Sequence, residues 1–440
     1  MNIFIVSDQY YPIGGGIQQY LRGLSRQLTA WGHQVRHLTR AIEGCPEEEM
    51  WPEGRVIRTP LLLDAVPNPH FVLERWLQLV PLIEAVGPDV VYANHHTSVA
   101  TIKACQRLGV PVVYGCHGWG LLCPLKTRFL KPDNSLCFNE RNEKSCFECY
   151  KMAHSMPRVR SVRSAISRIR WVYRARKDIS EKVVRYDSFQ EILDCADARI
   201  ILAKTWTKFF APDNTFHIPL GIDVNLFHPV PAAPFRRKYS IEGTYVLVTS
   251  RIHNTKGQDW AIRALAHLPE EMKLVLAGNS SLFAGPKHED NVHTRRAREL
   301  IEELGLRDRV IFTGFLNTEE LIQAYSGAAA TLVPSVWLDP YPTVTLEAMA
   351  CSCPVVLTAN SGTAELVTDS VEGYVVPRMD PEAIAEAVLK ILPHREEMGK
   401  AVREKVVREL NWPKIAGGVL EVLKMVIESK QSRPYLSGKL

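Results

Sequence analysis

The sequence predicts an α/β protein made of two doubly wound domains, each a parallel sheet covered by helices on both faces. Three observations predict it. The chain has 440 residues, and single cores rarely grow beyond roughly 250–300. Short runs rich in Val, Ile and Leu alternate with helical patterns along its whole length. Those runs end in Gly or polar residues, as strands do at the edge of an open sheet that binds ligands.

The first run, Asn2 to Val6, leads into a Gly triplet, Gly14, Gly15 and Gly16, and then a helical pattern that closes at Gly32-His33. A Gly-rich turn that opens a helix lets backbone N–H groups approach an anion closely. Two buried-strand patterns follow, Pro88 to His95 and Val110 to Gly118, the second carrying His117 at its end. A Pro-rich stretch (Pro229, Pro231, Pro234) marks a linker, with the boundary near Leu220. The expected domains are 1–218, rejoined by a last helix at about 412–440, and 219–411. The polar tail from Lys430 is expected to fray.

In the second half, Tyr245 to Thr249 reads as a strand that leads to Arg251, with Lys256-Gly257 opening the next helix. Two fixed cations beside a helix N-terminus suit a diphosphate leaving group. Two more strand–Gly units end at Gly278 and Gly314. The stretch Pro334 to Leu366 sets Asp339 and Glu347 eight residues apart, on a loop and on the helix after it. A short strand (Val355, Val356, Leu357), the turn Ser361-Gly362-Thr363 and Glu365 complete it. Carboxylate oxygens accept hydrogen bonds, so such groups can grip the diols of a sugar or a ribose.

These segments, in this order, resemble the retaining glycosyltransferases of the GT-B fold, group 1 (glycosyltransferase family four). That family places two Glu residues eight apart ahead of an Ala-Met-Ala run. Here the first is Asp339, and the Gly-Gly pair before the last Glu is Ser361-Gly362. The resemblance covers nearly the whole chain and fails mainly between about 124 and 186. It implies two Rossmann-like domains facing a central cleft, and transfer of a sugar from a nucleotide diphosphate sugar to a glycan, glycolipid or small-molecule acceptor with anomeric retention. It implies that Arg251 and Lys256 hold the diphosphate and Glu347 the ribose. Asp339, Ser361, Gly362, Thr363 and Glu365 would line the sugar and phosphate side, with Gly15, Gly16 and Gly278 close to the donor. His117 takes the place of the family's cleft histidine. No catalytic cofactor is expected, because the sequence has no Asp-x-Asp of the metal-dependent transferases. A non-catalytic scaffold, a sugar-nucleotide epimerase and a phosphorylase share the fold and stand as alternatives.

The segment 123–186 reads as an insertion. It holds Cys123, Cys137, Cys146 and Cys149, the last two as Cys-x-x-Cys. Four thiolates can close a tetrahedral zinc site that orders a segment poor in apolar residues. One or two disulfides, or free thiols, are the other readings, and a reducing compartment disfavours the disulfides. Between Lys151 and Arg185 there are eleven Lys and Arg against two acids, although the net charge of the chain is only +5. Val159, Val162, Ile166, Ile169 and Tyr173 recur at helical spacing there. Such a helix, about 158–177, either packs its stripe on its own domain or lies on an anionic membrane surface. No nucleic-acid recognition pattern accompanies the charge. No apolar run reaches the roughly 18–20 residues of a membrane span, so a cytoplasmic protein is expected, peripheral at the inner membrane face if that helix docks.

Overall fold

The structure is a computed structural model that describes residues 1–12, 15–62, 74–125, 130–131, 133–138, 142–153, 162–278 and 292–432. The chain divides into two compact units, Met1–Pro219 with Ile415–Leu440, and Leu220–Lys414. Gly14, Val159 and the end of the polar tail lie outside the described residues.

The first unit holds an eight-stranded sheet. Its strands are β1 (Asn2–Val6), β2 (Gln34–Arg40), β3 (Glu48–Trp51), β4 (Gly54–Thr59), β5 (Val90–Asn94), β6 (Val112–Cys116), β7 (Ala198–Ile201) and β8 (Thr215–His217). The order is β3-β4-β2-β1-β5-β6-β7-β8, parallel except for the edge pairing of β3 with β4. β1, β5 and β6 are almost wholly buried, which is why they read as unbroken apolar runs. The helix Gly16–Ala30 buries Tyr20, Leu21, Leu24 and Leu28 at helical spacing. The final helix, Trp412–Gln431, buries Ile415, Val419, Val422 and Val426 and ends with Lys430 Nζ 3.2 Å from Asp197 Oδ2.

The second unit holds a fully parallel six-stranded sheet in the order β11-β10-β9-β12-β13-β14. Its strands are β9 (Tyr245–Thr249), β10 (Lys273–Ala277), β11 (Val310–Gly314), β12 (Ala330–Val333), β13 (Val355–Thr358) and β14 (Gly373–Val376). Val246, Val248, Leu274, Leu276, Leu332 and Val356 share one core with Ile262, Leu265, Val388 and Ile391 of the covering helices.

Both sheets reverse their winding once. In the first, β1 lies between β2 and β5; in the second, β9 lies between β10 and β12. Open α/β sheets bind ligands outside the carboxyl ends of the strands at such a reversal. The topology therefore points to Ser7-Asp8 and Asn94-His95 in one unit, and to Ser250-Arg251 and Pro334-Ser335 in the other.

The basic segment forms the helix Val162–Asp194, of 33 residues. Ala175, Ile179, Val183, Tyr186, Phe189 and Leu193 are buried, whereas Ile166, Ile169 and Tyr173 are 46%, 68% and 71% exposed. The apolar stripe read from the sequence thus does not pack on its own domain at those three residues. Among the described residues no helix is long and apolar enough to cross a membrane.

Candidate functional site

In the second unit the chain leaves β9 and turns through Ser250 to Arg251, which is half-buried. Gln258, at the start of the helix Gln258–Leu265, fixes this turn. Its Nε2 donates to Ser250 Oγ at 2.8 Å and to the Arg251 carbonyl at 3.0 Å. Two glycines let the strand ends crowd together. Gly257 has φ +74 and a Cβ there would stand 1.8 Å from the Pro334 carbonyl oxygen. Gly278 has φ +139, and its Cβ would meet the Ser250 carbonyl oxygen at 2.2 Å.

Lys256 and Asp339 meet in this crowded corner. Lys256 Nζ lies 2.7 Å from Asp339 Oδ2, and the Ser335 hydroxyl donates to the same oxygen at 2.7 Å. Asp339 is 3% exposed, so its charge is matched by a cation and a hydroxyl rather than by water. Its carbonyl accepts from Gly362 N at 2.8 Å. Ser361 Oγ lies 2.9 Å from Thr363 Oγ1, which in turn is 3.0 Å from Thr345 Oγ1. Asp339, the turn Ser361–Thr363 and the helix Thr343–Ala350 are thereby joined.

Glu347 sits on that helix, 5% exposed. Tyr325 donates its hydroxyl proton to Glu347 Oε2 at 2.9 Å, and Thr249 Oγ1 lies 2.7 Å from the Tyr325 oxygen. Burial pushes the Glu347 carboxyl up, while bonds from Tyr325 and Thr343 pull it back. Glu365 is exposed on the 3₁₀ turn Gly362–Leu366. The buried Tyr341 phenol is pushed well up, first by burial and then by the charge of Glu365.

The first unit has its own cluster. Asp8, just past β1, is buried, and its Oδ2 lies 2.9 Å from His95 Nδ1 and 3.0 Å from His96 Nδ1, just past β5. Burial alone raises this carboxyl, but the two imidazoles outweigh it and hold Asp8 well below the usual carboxylate range. Among the described residues these three form a group whose metal-ligating atoms all lie within 4.8 Å of one another. Hydrogen bonding accounts for that geometry. Beside it, His117 Nε2 is 2.9 Å from Asn94 Oδ1, so Nε2 carries the proton and Nδ1 offers a lone pair. Burial, then the charge of His95, pushes His117 down to about 3 and keeps it neutral. The Tyr20 ring stands 4.8 Å from it. Gly15 caps the helix Gly16–Ala30, and a Cβ there would meet Gln18 Oε1 at 2.5 Å.

Two buried histidines make acid stability predictable. His37, like His117, is lowered by burial from 6.5 to about 3. Below about pH 6.5 the unfolded chain binds protons at both positions while the folded chain stays neutral until near 3. Stability is therefore complete above that window and falls as pH drops through it, by about 1.4 kcal/mol per pH unit for each histidine. Urea unfolding between about pH 7 and pH 5 should show this slope, and His37→Gln should reduce it. An equal slope in wild type and variant would refute the assignment.

None of the ten cysteines is joined to another by a disulfide. Cys123, Cys146 and Cys149 are buried and Cys137 is half-buried. The Cys146 thiol is pushed up to about 11, by burial first and then by Cys123, Cys137 and Cys149, which all lie around it. Ile179 and Val183 of the long helix pack against Cys146. The four sulfurs are not drawn within 4.8 Å of one another.

Sequence reasoning passed over Tyr325, Thr249 and Ser335, which look like ordinary core or turn residues, and His96. Asp8 and His95 were visible only as polar residues after strands. The reversal between β1 and β5 gives them meaning.

Comparison with known proteins agrees with this architecture. Residues 234–405 match the family described as Glycosyl transferases group 1, and residues 15–135 match the Glycosyl transferase 4-like domain. The D-inositol 3-phosphate glycosyltransferase of Acidothermus cellulolyticus is 27% identical over 447 residues, covering 95% of this chain and 87% of that protein. The mannosylfructose-phosphate synthase of Agrobacterium fabrum is 24% identical, covering 97% and 89%. Among solved structures, the sucrose-phosphate synthase of Thermosynechococcus elongatus superposes with a TM-score of 0.69 at 23% identity, covering 97% of this chain and 99% of that one. Anabaena Alr3699/HepE in complex with UDP gives 0.68 at 18%, covering 97% and 100%. The fold is that of the GT-B glycosyltransferases. The chain belongs to the group 1, family-four-like glycosyltransferases, and it is an enzyme of that class.

Proposed function

We propose that this glycosyltransferase moves a hexosyl or N-acetylhexosaminyl group from a nucleoside diphosphate sugar to an acceptor hydroxyl, with the anomeric configuration kept and without a catalytic metal. The observation that supports the reading is the Lys256–Asp339 pair at 2.7 Å in the second unit, with Arg251 two residues past β9 at the winding reversal. Cleaving the sugar–phosphate bond loads negative charge onto the departing diphosphate. Arg251 and Lys256 supply fixed positive charge for it, and preorganised charge of this kind lowers the barrier without solvent rearrangement. Asp339 holds the Lys256 ammonium in place before the donor arrives. Glu347 accepts from the ribose hydroxyls. The turn Ser361–Thr363 and Glu365 line the sugar side, Gly278 shapes the corner, and Gly15 and Gly16 bring backbone N–H groups to an anion in the first unit. His117, just past β6 in the first unit, serves the acceptor side in this reading. The acceptor in this reading is a glycan, a glycolipid or a small molecule. Anabaena Alr3699/HepE has been seen with UDP and with UDP-glucose, which supports a nucleotide sugar as donor.

The test is a thermal-shift panel of nucleotide sugars, since a ligand that binds only the folded state raises the melting temperature. The donor so found is then incubated with candidate acceptors and the product anomer is read by NMR. Retention is expected. An inverted product, or conversion of the donor with no acceptor present, would overturn the proposal.

A structural zinc at Cys123, Cys137, Cys146 and Cys149 belongs to the same proposal. The thiols of Cys123, Cys137 and Cys149 are near enough to Cys146 to bear on it electrostatically, and a metal would replace the proton that burial holds on Cys146. Elemental analysis of protein purified without metal-affinity steps should find about one zinc per chain. Four freely titrating thiols and no zinc would reject the site.

A further inference from the structure

We propose that the outer face of the helix Val162–Asp194, near its N-terminal end, is a docking surface for an anionic lipid membrane. Two apolar stripes run on this helix. Ala175, Ile179, Val183 and Tyr186 are buried and tie it to its own unit. Ile166, Ile169 and Tyr173 stand at i, i+3 and i+7 and are exposed by 46%, 68% and 71%. At about 100° per residue, the second stripe is turned roughly 120° from the first. It cannot reach the core that the first stripe covers. Large apolar side chains set together on a surface mark an interaction site rather than a solvated face.

Charge identifies the occupant. Arg170 and Arg174 flank the exposed stripe on one side and are themselves exposed. No Asp or Glu occurs between Glu148 and Asp178. An apolar stripe with arginine flanks and no nearby carboxylate matches a surface that is negative outside and apolar beneath. Tyr173 adds a ring with a polar end, which suits the level of the lipid headgroups. A second copy of this chain would present the same cations and repel them.

The test uses the full chain and vesicles of phosphatidylcholine alone or mixed equally with phosphatidylglycerol, read by co-sedimentation. Binding to the mixed vesicles is expected, with little to the neutral ones, and high salt should weaken it. Arg170→Ala and Arg174→Ala should each reduce partitioning about fivefold. Ile169→Ser with Tyr173→Ser should reduce it about tenfold or more through lost apolar burial. These side chains are exposed, so the melting temperature and the donor-induced thermal shift should be unchanged in each variant. Absence of sedimentation with the anionic vesicles would overturn the proposal, as would equal binding to both vesicle types. So would a dimer in light scattering that the Ile169→Ser, Tyr173→Ser variant abolishes.

Discussion

Lys256→Ala should lower turnover by about 100-fold or more, and Arg251→Ala by a similar factor. Loss of one preorganised charge partner of a transition state typically costs about 3–4 kcal/mol. The structure makes the Lys256 variant informative in a second way. Asp339 is 3% exposed, and its Oδ2 is held by Lys256 and Ser335. Removal of the lysine leaves a buried carboxylate with one hydroxyl for a partner, so stability should also drop. Lys256→Arg keeps the charge beside Asp339 but spreads it over a wider fork, and it should restore stability more than turnover. The measurement is a single-turnover rate with the donor identified by thermal shift, beside a melting curve. Near-wild-type rates for both Lys256→Ala and Arg251→Ala would remove the diphosphate assignment. A loss of melting temperature with no loss of rate would make Lys256 a purely structural partner of Asp339.

The parts of this site that the sequence made legible are those that follow a strand closely. Arg251, Lys256 and Asp339 stand within a few residues of buried strands, and an apolar run that ends abruptly in a cation or a carboxylate marks a sheet edge. Glu347 was legible through its spacing from Asp339. What a single sequence does not carry is strand order. The neighbours of β1 and β9 are set by long-range pairing, and the winding reversals that select Asp8 with His95, and Ser250 with Ser335, follow from that pairing. Tyr325 was hidden for a different reason. On the helix Thr318–Gly327 it lies among buried Ile322 and Ala324, and only its hydroxyl, aimed at Glu347, sets it apart from a core residue. The helix Val162–Asp194 shows the converse. Its apolar periodicity was plain, but only the structure shows that Ile169 and Tyr173 face away from the stripe that packs.

Glu347→Gln should weaken nucleotide binding about tenfold to a hundredfold while leaving acceptor affinity nearly unchanged. The side chain keeps its shape, so the helix Thr343–Ala350 should not move. The amide oxygen can still accept from Tyr325, which donates to Oε2 at 2.9 Å in the wild type. The NH₂ group must then occupy the place of the other carboxylate oxygen and present a donor where a ribose hydroxyl needs an acceptor. A hydrogen bond to a charged group is worth about 1.5–3 kcal/mol, which sets the expected range. The pH dependence gives a second reading. Burial raises the Glu347 carboxyl, so it takes up a proton at a higher pH than a free glutamate does. Its grip on the ribose is complete above that raised range and is lost as pH falls through it. Wild-type nucleotide affinity should therefore decline on acidification. The glutamine variant, which has no proton to gain there, should show a weaker and flatter profile. Calorimetry with the bare nucleoside diphosphate, at neutral pH and in mild acid, measures both effects. Unchanged affinity in Glu347→Gln, or parallel pH profiles for the two proteins, would leave Glu347 as a buried partner of Tyr325 and move ribose recognition elsewhere in the second unit.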